Sequence, residues 1–186
     1  MLLKKASNLD IKMICPLHGP ILKENLGYYI EKYDIWSSYK AENEGVTICY
    51  ASIHGNTADT AKEMAKILEE KGTKVSIFDL ARCDMAEVVE DAFRYDKLII
   101  AASSYNAEVF PPMDNFLRSL KGKNYQNRKV GIIENGTWAP SAAKCMKEIV
   151  EGMKDITICE PVVTVKSRLK EETREELLKL AENILN

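Results

Sequence analysis

The chain has 186 residues, with 26 Lys and Arg against 28 Asp and Glu, a formal charge of −2. Hydrophobic residues make up 46%, enough for one domain core with some chain left over but not for two large domains. No apolar run approaches the roughly 18 residues of a membrane-spanning helix, no signal-peptide core opens the chain, and the mild acidity argues against a general nucleic-acid binder.

In chain order, Asp10–Cys15 is expected as a strand ending at Pro16-Leu-His-Gly-Pro20. Leu22–Trp36 is amphipathic and rich in aromatics, and the polar Ser37–Gly45 is a linker. This segment is too short to form its own core. It either packs on the main domain or is the remnant of a neighbouring one.

From residue 45 the pattern becomes regular. Val46–Ala51 is a short apolar run, expected as a buried strand, and Asn56–Lys71 sets Ala61, Met64, Ala65 and Leu68 on one helix face. A strand over Lys74–Leu80 and a short helix over Asp84–Phe93 follow. Lys97–Ser103 is a second apolar strand, and Pro112–Leu120 a helix presenting Met113, Phe116, Leu117 and Leu120. Next come a strand at Lys129–Glu134, a helix at Pro140–Met153, a strand at Thr157–Val165 and a closing helix at Glu171–Leu185. Apolar strands alternating with amphipathic helices imply an α/β fold with a parallel sheet covered on both faces. Five such units in about 140 residues match a flavodoxin-like doubly wound sheet of order 2-1-3-4-5.

The five cysteines, Cys15, Cys49, Cys83, Cys145 and Cys159, include no Cys-x-x-Cys pair. Disulfide frameworks, zinc ribbons and iron–sulfur clusters are therefore not expected, and the chain reads as a reduced, cytoplasmic protein. Two histidines, His18 and His54, cannot by themselves build a multi-histidine metal site.

In an open parallel sheet, ligands bind beyond the carboxyl ends of the strands. Three loops lie there. Ser52-Ile-His-Gly-Asn-Thr57 opens straight into a helix, so its hydroxyls and N–H groups suit a phosphate at a helix N-terminus. Spacing alone equally suits an ordinary N-capped turn. Neither a Walker A loop nor Gly-x-Gly occurs. Ser103-Ser-Tyr-Asn-Ala107 and Asn135-Gly-Thr-Trp138 supply small polar groups beside Tyr105 and Trp138, suited to stacking on a planar ring.

These three loops, with Phe110-Pro-Pro-Met113, resemble the flavodoxin-type FMN domain of A-type flavoproteins, the flavodiiron proteins. In that family a metallo-β-lactamase-like diiron domain precedes the flavodoxin domain. Ile14-Cys-Pro-Leu-His-Gly-Pro20, Tyr28-Tyr29 and Tyr33-x-x-Trp36 resemble the end of the diiron domain and its exit helix. The resemblance implies a remnant and linker over 1–44 and an FMN domain over 45–186. It places Ser52, His54, Gly55, Asn56 and Thr57 on the phosphate. Ser103, Ser104, Tyr105, Asn106 and Ala107 fall against the isoalloxazine, and Asn135, Gly136, Thr137 and Trp138 close the other side. His18 matches a diiron ligand whose companions this chain lacks, so no metal is expected. Many relatives carry Asn-Gly where this chain has Ala107-Glu108.

The implied function is electron transfer, from a rubredoxin-like donor or a flavin or deazaflavin reductase toward a diiron site reducing O2 or NO in the complete protein. That last step is not expected from this chain alone. A homodimer is consistent with family habit; a membrane or nucleic-acid partner is not expected. Alternatives are a stand-alone NAD(P)H-dependent FMN reductase and a non-enzymatic interaction module on the same fold.

Overall fold

The computed structural model describes Leu3, Ala6 and residues 8–186. Its elements are α1 (Leu26–Ser37), β1 (Asn43–Ala51), α2 (Asn56–Glu70), β2 (Val75–Asp79), α3 (Met85–Arg94), β3 (Tyr95–Tyr105) and β4 (Glu108–Val109). After these come α4 (Pro111–Gly122), β5 (Arg128–Asn135), α5 (Ala142–Glu151), β6 (Ile156–Val165) and α6 (Glu171–Leu185). The parallel strands run β2-β1-β3-β5-β6, the expected doubly wound order, and the short β4 pairs antiparallel with the end of β3. That two-residue strand is the one addition to the expected five.

Strand alternation decides how the core is built. In β3, Leu98, Ile100 and Ala102 face one side, while Ile99 and Ala101 face the other. The first side packs under α3, α4 and α5, where Met113, Phe116, Leu117 and Leu120 of α4 are all fully buried. Each such side chain contributes on the order of 2 kcal/mol by leaving water. The second side packs under α2 and α6, through Met64, Leu68, Leu177 and Leu180. With both faces covered, only the strand ends remain for chemistry. β6 is an edge strand, and its register with β5 breaks between Gly131 and Ile133, around Pro161.

The first 44 residues differ from expectation. Asp10–Cys15 is not a strand; a single antiparallel bridge joins Ile14 to Leu22 around the Pro16–Pro20 turn. Prolines at both ends of that turn remove ladder donors, and no sheet edge lies alongside. The helix starts at Leu26 rather than Leu22, because Asn25 is left-handed at φ 50°. Residues 43–45 of the expected linker belong to β1. Arg128, 4% exposed, secures the join. It donates to the carbonyls of Tyr39 (2.9 Å), Tyr95 (2.7 Å) and Phe93 (2.6 Å), the last in the closing turn of α3, where the helix dipole favours a cation.

Glu42 ties α1 to the domain, accepting from Lys32 Nζ at 2.6 Å and from Trp36 Nε1. Burial pushes its carboxyl up, but these two hydrogen bonds and the nearby cations outweigh that and hold it below its ordinary value. The bond to Glu42 in turn raises Lys32. A carboxyl lowered on folding contributes stability above its unfolded value, about 4.3, and loses it as pH falls through the folded value. A raised amine contributes below about 10.4 and loses its share as pH rises. The anchor should therefore hold across neutral pH and release below about pH 4. Amide protection within α1, relative to the intrinsic exchange rate, should fall there, and Glu42→Gln should remove that pH dependence. Unchanged protection of α1 at pH 3 would contradict the account.

Candidate functional site

At the carboxyl ends of β1, β3 and β5 lies a cleft of about 230 Å³. Its lining includes Ser52, His54, Asn56 and Thr57 from the first loop, Ser103 and Ser104 from the second, and Asn135, Gly136 and Thr137 from the third. Nine of the fourteen residues singled out in the sequence thus meet in one place. Gly55, Tyr105, Asn106, Ala107 and Trp138 do not line it. Ile53 and Ser167 do, and the sequence reading missed both. Ser167 comes from the β6–α6 loop, which carried no motif. Only the doubly wound strand order, which sets β6 beside β5, would have pointed to it.

The first loop turns sharply at Gly55, whose φ of 93° is left-handed and suits glycine. Ser52 Oγ accepts from the Gly55 N–H at 3.1 Å and fixes the turn. The first intrahelical bond of α2 runs from Asp59 N to Gly55 O at 2.9 Å, and no side chain caps the helix. The N–H groups of Asn56, Thr57 and Ala58 therefore have no partner among the described residues. No Lys, Arg, Asp or Glu lines the cleft. Neutral hydroxyls and amides around the positive end of a helix dipole suit an anion.

The other two loops are locked to each other. Ser104 Oγ accepts from the N–H groups of Ser141 (2.8 Å) and Ala142 (3.2 Å), so a β3 side chain caps α5. Ser141 Oγ donates to Glu108 O at 2.9 Å. The buried Glu134 carboxylate accepts from Ala143 N at 2.8 Å and Thr164 Oγ1 at 2.9 Å, and Asn135 Nδ2 donates to Ser167 O at 2.9 Å. Gly136 is required by close approach: a Cβ there would meet Pro140 Cβ at 2.9 Å and Ser104 Oγ at 3.0 Å. Several residues chosen as ligand contacts therefore also frame the site. Ser52 and Ser104 accept from the backbone and keep their own hydroxyl hydrogens for a ligand.

Tyr105 is half exposed and Trp138 is 90% exposed. Trp138 does not pack under a neighbouring loop; it stands free, available to a planar ring. Tyr105 is braced by Phe110, with ring centroids 5.8 Å apart. Asn106 and Ala107 are both left-handed, at φ 51° and 62°, and join β3 to β4 as a tight two-residue hairpin. Neither Cys49 nor Cys83 lines the cleft, and burial pushes both thiols up. Among the described residues no group of three His, Cys, Asp or Glu side chains gathers to hold a metal ion, and His18 lies in the exposed Pro16–Pro20 turn.

Two outcomes follow for stability. Ser104→Ala leaves two N–H groups of α5 uncapped and should cost about 1 kcal/mol. Ala107→Gly relieves a left-handed alanine and should gain about 1 kcal/mol. Chemical denaturation measures both; a loss of stability in Ala107→Gly would contradict the hairpin geometry.

Residues 48–179 match the flavodoxin family. An uncharacterized protein of Methanocaldococcus jannaschii is 28% identical over 171 residues, spanning 91% of this chain and 43% of its own. An anaerobic nitric oxide reductase flavorubredoxin of Aeromonas hydrophila is 25% identical, spanning 81% of this chain and 31% of its own. This chain thus spans less than half the length of these relatives. Rubredoxin oxygen:oxidoreductase of Desulfovibrio gigas superposes with a TM-score of 0.87 at 22% identity, over 98% of this chain and 46% of its own. A flavodoxin from the domain Archaea superposes with a TM-score of 0.64 at 19% identity, over 76% of this chain and 99% of its own. The chain belongs to the flavodoxin family of FMN-binding domains.

Proposed function

We propose that this chain is an electron-transfer unit working through FMN, and that in the complete protein it passes electrons toward a diiron site that reduces O2 or NO. The observation that carries the reading is the uncapped start of α2, set in an uncharged cleft beside two exposed aromatic side chains. The donor set fits FMN in kind: backbone N–H groups for the phosphate, hydroxyls for the ribityl chain, aromatic faces for the ring.

Each loop then has a task. The N–H groups of Asn56 and Thr57 and the hydroxyls of Ser52 and Thr57 hold the phosphate, with His54 and Gly55 shaping the turn. Ser103, Ser104, Tyr105, Asn106 and Ala107 lie along the isoalloxazine. Asn135, Gly136, Thr137 and Trp138 close the other side, and Trp138 shields one ring face from water. FMN supplies the one- and two-electron redox chemistry. The protein fixes its orientation and leaves an edge within reach of a partner. Two relatives carry rubredoxin in their printed names, which favours a rubredoxin-like donor, with a flavin or deazaflavin reductase as the other candidate. The resemblance of Ile14–Pro20 and Tyr28–Trp36 supports residues 1–44 as the end of a metallo-β-lactamase-like domain. No described helix is long and apolar enough to cross a membrane.

Titration of the chain into FMN should quench flavin fluorescence with one site per chain. Riboflavin, which lacks the phosphate, should bind about a hundredfold more weakly. Thr57→Val should cost FMN about tenfold and riboflavin nothing. Because the receptor uses dipoles instead of charged side chains, affinity should change little between low and physiological salt. Equal affinity for FMN and riboflavin would overturn the phosphate assignment; no binding of either would overturn the function.

A further inference from the structure

We infer that the buried carboxylate of Glu134, set behind the wall of the cleft, holds the reduction potential of the bound flavin low. The inference rests on the electron-transfer reading above and deepens it, by naming a residue that sets the driving force.

Two helices start beside the cleft, and their opening N–H groups are treated oppositely. At α2 those of Asn56, Thr57 and Ala58 are open among the described residues. At α5 those of Ser141, Ala142 and Ala143 are all taken. Ser141 and Ala142 donate to Ser104 Oγ, and Ala143 donates to Glu134 Oε2 at 2.8 Å. The first turn of α5 carries no acid of its own. The carboxylate reaches it from β5 instead, one residue before Asn135, which lines the cleft. Glu134 is 6% exposed. Its other oxygen accepts from Thr164 Oγ1 at 2.9 Å. Both oxygens accept, as those of an ionised carboxylate do. Both partners are neutral donors, and among the described residues no ion pair involves Glu134.

A hydroxyl or an amide could accept from Ala143 equally well, so the charge is the feature to explain. It has two effects at the cleft. It cancels the positive end of α5, which starts against Ser104 of the cleft wall. It also adds a negative potential of its own, little screened by salt at this depth. On the proposed reading the ring lies on the side of Ser104 and Asn135. Electrons arriving from a donor put negative charge on that ring wherever a proton does not follow them. Negative charge behind the wall opposes this, so the oxidised flavin is favoured and the potential falls. The two helix starts thus divide the cleft: an open positive end for the phosphate, a cancelled one for the ring. A unit charge acting through protein over roughly 10 Å is enough to move an equilibrium about tenfold.

The test is the midpoint potential of FMN bound to the full chain, measured by redox titration against indicator dyes. Glu134→Gln can keep both hydrogen bonds, its amide oxygen accepting from Ala143 and its amide nitrogen donating to Thr164, while the charge is lost. It should tighten reduced FMN about tenfold relative to oxidised FMN, a rise of about 30 mV in a two-electron couple. Glu134→Asp keeps the charge and should stay near the wild-type potential, whatever it costs in stability. Thr164→Lys sets a cation beside an intact Glu134 and should raise the potential as Glu134→Gln does; it decides the matter should Glu134→Gln not fold. A potential unchanged or lowered in Glu134→Gln overturns the inference. So does an equal rise in Glu134→Asp, which would make the residue a structural prop only. Failure of the wild-type chain to bind FMN overturns the electron-transfer reading and this inference with it; FMN binding with one potential in every variant overturns the inference alone.

Discussion

The site depends on how β1 joins α2. A fully buried strand delivers the chain to a turn at Gly55, and the helix begins with three N–H groups unclaimed. Among the described residues no Lys or Arg lies in the cleft to neutralise an anion. The field there comes from the peptide dipoles of α2 and from oriented hydroxyls, which are fixed before a ligand arrives. On the proposed reading such a receptor would distinguish a phosphate ester from its alcohol without attracting polyanions generally, in keeping with an overall charge near zero.

The second requirement is that three loops from different strands hold their relative positions. Buried polar side chains meet it. Ser104 caps α5, Ser141 clasps Glu108, Glu134 bridges α5 and β6, and Asn135 holds the Ser167 loop. Each acceptor is satisfied by backbone or hydroxyl donors, so the network is rigid at little desolvation cost. Backbone strain sits in these loops: Ala107 is left-handed in the hairpin that carries Tyr105, Ala139 follows Trp138 at φ 36°, and Ser167 lies at φ 73°. Strain in such loops is a common cost of aiming a side chain.

Much of this was legible in the residues. The fold could be read because the central strands β1 and β3 carry long apolar runs and helices such as α4 show an i, i+3, i+4 stripe, as Met113, Phe116, Leu117 and Leu120 do. The three loops could be read because strand ends define the functional edge. What escaped had no local signal. Ser167 joins the cleft only through the register of β6, and the β3–β4 hairpin hides behind an alanine where glycine would announce it. The strand expected at Asp10–Cys15 failed because β propensity without a neighbouring edge gives a lone bridge. The amphipathic, aromatic-rich Leu22–Trp36 left open whether it packs on the main domain; in the structure no residue of α1 is buried.

A crystal structure of the FMN-loaded chain tests the central claim most directly. The account predicts phosphate density against the N–H groups of Asn56 and Thr57, with the ring bounded by Tyr105 and Trp138. Flavin bound away from this cleft, or with its phosphate turned away from the start of α2, would contradict it.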